Sequence, residues 1–190
     1  MSKIKFNLVG NTFTHLTNGN KGYSVHGKES KYIEWVGEDG EGTFYIDDTI
    51  NKGIIEKRDG PKYLWLLESK FIRPGLVEKI IENREDVENS YDIIFTHDQK
   101  LLSLGDKYKW CPAQGFWIKD AKIYEKSKMI SMISSNKTMC EGHRLRLEWV
   151  DRIGEQVDLY GRGFNEIADK EEGLCDYMFS VAIENGQYET

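Results

Sequence analysis

The chain has 190 residues, enough for one large domain or two small ones, and its 39% hydrophobic and 31% charged residues exclude a disordered tail or a fibre. A formal net charge of −6 gives no general pull toward nucleic acid, whose binders carry a basic face. No run approaches the roughly 18 apolar residues of a membrane span, and the start, MSKIKFNLVG, has no signal-peptide core. Cys111, Cys140 and Cys175 are odd in number and too far apart for a zinc pattern or a disulfide framework, so the chain reads as cytoplasmic.

In chain order, the first half alternates strand-like runs with turns: Ile4–Val9, 32–36, Thr43–Ile46, 63–67 and 91–95. Between the last two, Pro74 at a first turn and Leu76, Val77, Ile80 and Ile81 on one face predict a helix over 74–83. Strand, helix and strand make a βαβ unit, hence a parallel sheet and the α/β class. The segment GEDGEG, 37–42, falls between two strand-like runs and predicts a hairpin turn whose acids would repel a phosphate. From Lys107 an aromatic stretch runs into a lysine-rich one and reads as a crossover between domains. The rhythm then restarts: a strand over 128–134, a helix over 142–153, a strand over 157–160, a Gly161-Arg162-Gly163 turn and a strand over 177–183. Two α/β halves in series follow, 1–122 and 123–190.

The second half concentrates the residues that carry chemistry. It holds Ser135 and Asn136 after a strand, Arg146 on a helix with Trp149 three residues on, Tyr160 and Gly161 at a strand end, and Glu184 and Asn185 at another. In this order they resemble the family 10 glycosyltransferases, the fucosyltransferase-like enzymes, over about 63–190 and most strongly from Ser134 onward. The resemblance implies two Rossmann-like halves of GT-B type, the second incomplete here. It implies inverting transfer from a nucleotide-diphosphate sugar, GDP-fucose in that family, to a glycan hydroxyl, with no metal and no tightly bound cofactor.

The chemistry of the residues agrees. A leaving diphosphate concentrates negative charge, and a guanidinium fork holds phosphate oxygens bidentately at any relevant pH. Arg146 and Arg144 sit near the start of a helix entered from a strand, where backbone N–H groups also face anions. Two residues apart, they point in different directions, and the aromatic spacing favours Arg146. Taken alone, each is equally an exposed, solvated arginine. Glu184 and Asn185 end an apolar strand, beyond which open sheets bind ligands; a strand-terminal turn is the plainer alternative. By resemblance, Asn136, Tyr160, Glu184 and Asn185 join the arginines in holding the donor.

In the first half, KYLWLLESKFIRPGL delivers Glu68 at the carboxyl end of a buried strand, and the resembled family carries a Glu-Ser pair there. The resemblance implies that Glu68 is the general base; a helix-capping carboxylate or a partner of Arg73 is the alternative. Asp47 and Asp48 follow a strand, but adjacent acids on a turn are common, and no metal is assigned to them. Asp98, in Thr96-His97-Asp98, suits a helix N-cap. His15 and His26 flank a Gly- and Asn-rich segment that would serve as an acceptor surface. A non-catalytic carbohydrate- or nucleotide-binding remnant and an unrelated α/β hydrolase using Glu68 with a second carboxylate are the rival functions. The short second half also implies a homodimer that covers its sheet, and little transfer by these 190 residues alone.

Overall fold

The computed structural model describes residues 2–10, 31–112, 117–118, 120 and 122–186. It is an α/β protein of two compact units, Met1–Gly115 and Phe116–Thr190. The first is a six-stranded parallel sheet of β1 (Ile4–Val9), β2 (Ile33–Val36), β3 (Thr43–Ile46), β4 (Lys62–Trp65), β5 (Ile93–Thr96) and β6 (Tyr108–Trp110), in the order β2-β1-β3-β4-β5-β6. Among the described residues four α-helices accompany it: α1 (Ile50–Ile55), α2 (Leu76–Glu82), α3 (Arg84–Ser90) and α4 (Gln99–Leu102). The central strands β3, β4 and β5 are largely apolar on both faces, as a parallel sheet requires. Tyr45, Leu64 and Ile94 pair across β3, β4 and β5 and join Ile50, Val77, Ile80 and Leu101 in a fully buried core. Each such side chain contributes about 1.5–3 kcal/mol on burial. The alternate positions carry Phe6, Trp35, Phe44, Tyr63, Trp65 and Phe95, which form edge-to-face and stacked pairs with one another.

The parallel βαβ unit expected around 63–95 is present, but its connection holds two helices, α2 and α3, rather than one. Helices α1 and α4 and strand β6 were not anticipated, because six residues, four and three are too few to display a period. The expected hairpin at 37–42 is absent. Strands β2 and β3 both run parallel to β1, on its two sides, and the GEDGEG segment crosses β1 at Asn7. The Gly40 amide donates to Asn7 Oδ1 at 2.9 Å, and a Cβ on Gly40 would meet the Asn7 amide nitrogen at 2.5 Å. The glycine is there for that close approach, which glycine and acid composition cannot tell from a turn.

The second unit contains β7 (Lys128–Ile133), α5 (Glu141–Ile153), β8 (Asp158–Tyr160) and β9 (Tyr177–Val181), a three-stranded parallel sheet in the order β8-β7-β9. Met132 on the central strand is fully buried. Both sheets place the first strand between the second and the third. Connections therefore leave in opposite directions between β1 and β3 and between β7 and β9, and such a reversal opens a crevice at the carboxyl ends of the strands. Among the described residues no helix is long and apolar enough to cross a membrane.

Candidate functional site

The carboxyl edge of the three-stranded sheet gathers most of the residues singled out in the second half. Helix α5 starts after β7 with Cys140 as its N-cap and packs its first turn on the segment after β9. The Gly142 amide donates to Asn185 O at 3.2 Å, and any side chain at Gly142 would collide with Glu184 O. One turn on, Arg146 donates through Nη2 to Asn185 Oδ1 and through Nε to Gly142 O at 3.3 Å. Arg146 and Asn185 thus meet at the β7/β9 reversal, where Glu184 lends its backbone carbonyl to the contact with Gly142 and keeps an exposed side chain. Asn136, exposed, follows β7 on the same edge, and its amide donates to Arg162 O at 3.0 Å, tying it to the turn after β8.

Two residues are placed differently. Arg144 is exposed and donates to Thr138 O at 3.3 Å, in the loop that precedes α5. The Tyr160 hydroxyl is 2.7 Å from that of Tyr177, which donates to Asp158 Oδ2 at 2.6 Å, so Tyr160 belongs to a phenol–carboxylate chain. Burial and the bond to Asp158 push the Tyr177 phenol well above its ordinary range. Buried His143 accepts from the Met139 amide at 3.2 Å through Nδ1. Burial first, then the charges of Arg146 and Lys137, lower its pKa, which favours the neutral ring.

A second edge lies at the carboxyl ends of β3, β4 and β5 in the first unit. Glu68 is half-buried just past β4, and its carboxylate has no hydrogen bond or ion pair among the described residues. Neither structural alternative for it holds: Arg73 pairs with Asp48 at 2.8 Å, and the N-cap of α2 is Gly75. Asp98 caps α4 as expected, accepting from the Lys100 amide at 2.9 Å, and lies 3.5 Å from Lys70 Nζ. Glu68, Lys70, Arg73, His97 and Asp98 line a narrow pocket of about 10 Å³, room for one water and not for a sugar ring.

The residue that sequence reasoning undervalued is Asp47. It directly follows β3 at the β1/β3 reversal with φ of 42°, a left-handed conformation that costs a non-glycine residue about 1–2 kcal/mol. It is 2% exposed. Its Oδ1 accepts from the amides of Leu67 at 2.8 Å and Glu68 at 3.3 Å, whereas Oδ2 is buried with no hydrogen-bond partner. Burial raises its pKa, and the charges of Glu68 and Asp48 add to the rise. Strain, burial and an unsatisfied oxygen coincide at a functional edge more often than elsewhere. Its place directly after a strand was the available signal; its burial was not readable from the doublet.

Cys111 follows β6, and burial pushes its thiol up, which disfavours a thiolate nucleophile. The described residues hold no group of three or more His, Cys, Asp and Glu side chains able to bind a metal. His15 and His26 lie outside the described residues. No protein-family model, curated protein or solved structure matches the chain, so the family resemblance rests on its motifs alone.

Proposed function

We propose that the chain is an inverting, sugar-nucleotide-dependent glycosyltransferase of the fucosyltransferase-like kind, built on a GT-B plan and using GDP-fucose and a glycan hydroxyl. The observation that carries this is the bond between Arg146 and Asn185 at the β7/β9 reversal, beside the first turn of α5. A guanidinium held by neutral acceptors keeps its charge for a ligand, and a diphosphate suits it.

In this mechanism Glu68 takes the proton of the acceptor hydroxyl as its oxygen bonds to the anomeric carbon. The carbon–oxygen bond to the β-phosphate breaks on the opposite face, and the nucleoside diphosphate leaves with the electron pair toward Arg146. Exposed Met178 and Phe179 on edge strand β9 support the expected homodimer. The test is transfer from GDP-fucose to a panel of glycans with product stereochemistry determined; release of free fucose without any acceptor product would contradict it.

One observation favours a second reading. Asp47 and Glu68 are neighbouring carboxyl groups in unlike environments, one buried with a raised pKa and one half-exposed. Such a pair also suits acid–base hydrolysis of a glycoside. Hydrolysis of aryl glycosides that is abolished by Glu68→Gln and indifferent to GDP would favour it.

A further inference from the structure

Close to the edge that holds Arg146 is a cation that none of the motifs includes, in a segment whose Gly173 packs on Ile133 and Tyr160, the last residues of β7 and β8. Lys170 opens a short 3₁₀ segment, Lys170–Gly173, and is half-buried. Its ammonium sits 3.3 Å from the centre of the Trp117 ring. Of the carboxylates near it in sequence, Asp169 accepts from the Glu171 amide at 3.1 Å and Glu172 from the Asp169 amide at 2.9 Å. Neither Lys170 nor Arg146 has an ion-pair partner among the described residues, and the two repel each other.

We infer that Lys170 is a second cation for the phosphate-bearing ligand of the Arg146 edge, held ready on the Trp117 face by a neutral partner. This rests on the donor site proposed above and adds a residue to it. Two like charges left unneutralised and half out of water destabilise the empty protein. Fixing each with neutral groups, Trp117 for one and Asn185 Oδ1 and Gly142 O for the other, keeps both available to an anion. Burial, and then the Arg146 charge, lower the Lys170 pKa, as expected for an ammonium that lacks its counter-ion. A diphosphate, with oxygens enough for both, fits better than a single carboxylate.

The experiment compares wild type, Lys170→Met, Lys170→Arg and Arg146→Ala by thermal melting and calorimetric titration with inorganic pyrophosphate, GDP and GDP-fucose. Methionine keeps an unbranched stem against Trp117 and removes the charge. Expected are a melting temperature for unliganded Lys170→Met at or above that of wild type, pyrophosphate and GDP affinities about tenfold weaker, and most of the affinity retained in Lys170→Arg. A lower melting temperature in unliganded Lys170→Met would show that the cation–ring contact is structural, and unchanged pyrophosphate affinity would overturn the inference outright. Pyrophosphate binding that needs both cations without any GDP-fucose binding would remove the transferase reading and leave this one. GDP-fucose binding indifferent to Lys170→Met would do the reverse, and no binding of any of the three would remove both.

Discussion

Both sheets place their first strand between the second and the third, yet one carboxyl edge carries the carboxylates Asp47 and Glu68 beside Lys70 and Arg73, and the other carries Arg146 close to Lys170. At the first, Asp47 is strained and buried, and the Glu68 carboxylate has no partner among the described residues. At the second, Arg146 and Lys170 are held by neutral groups. Strand order creates the crevice, and the side chains that end the strands decide what enters it. An unneutralised carboxylate suits taking a proton, and an unneutralised guanidinium suits receiving a phosphate.

The largest expected effect breaks the acidic edge. In a form competent for transfer, Glu68→Gln should lower glycosyl transfer by about two to four orders of magnitude, with GDP affinity and melting temperature unchanged. Initial rates alongside a melting curve check it: near-normal turnover removes the base from Glu68, and a large loss of melting temperature makes the residue structural.

At the cationic edge, Arg146→Ala should weaken GDP binding about 10- to 100-fold. Arg146→Lys should recover only part of that, because the ammonium keeps the charge and loses the fork. The same change at Arg152, on the same helix and 6.0 Å from the Trp149 ring centre, should do little. Calorimetric titration of the three variants separates these outcomes.

A smaller effect sharpens the role of Asp47. Asp47→Ala removes the acceptor of two amides at the end of β4 and should cost about 1–3 kcal/mol of stability. Asp47→Asn retains an oxygen for those amides and tolerates the left-handed backbone, so it should cost less. Denaturant unfolding of both measures the difference, and equal losses would mean that the charge, not the acceptor geometry, matters there.

The smallest concerns pH. His143 has a folded pKa below its ordinary value of 6.5, so the unfolded chain binds the proton first. Stability should therefore fall as pH drops through the ordinary histidine range, and His143→Gln should flatten that part of the profile. Melting temperatures from pH 7.5 to 5 check the sign; a rise on acidification would contradict the buried, neutral ring.

Much of the fold was legible because its strands are apolar runs punctuated by Gly, Pro and acids, and the α5 motif was legible because charge and aromatic spacing repeat at helical intervals. The crossing at Gly40 was not, since Gly-Glu-Asp-Gly reads the same whether a chain turns back or passes over a strand. Asp98 could be assigned as a cap from its place before a short polar turn. The importance of Asp47 depends on backbone strain and burial that its sequence neighbours do not reveal. Lys170 was missed because its meaning comes from Trp117 and Arg146, both more than twenty residues away in sequence.

The most direct measurement compares GDP with guanosine by calorimetric titration against wild type and Arg146→Ala. If the edge of the second sheet binds a donor diphosphate, wild type binds GDP far more tightly than guanosine, and the substitution removes most of that advantage without unfolding the protein. Equal affinity for GDP and guanosine, or a GDP affinity untouched by the loss of Arg146, would contradict the assignment of this edge to a sugar-nucleotide donor.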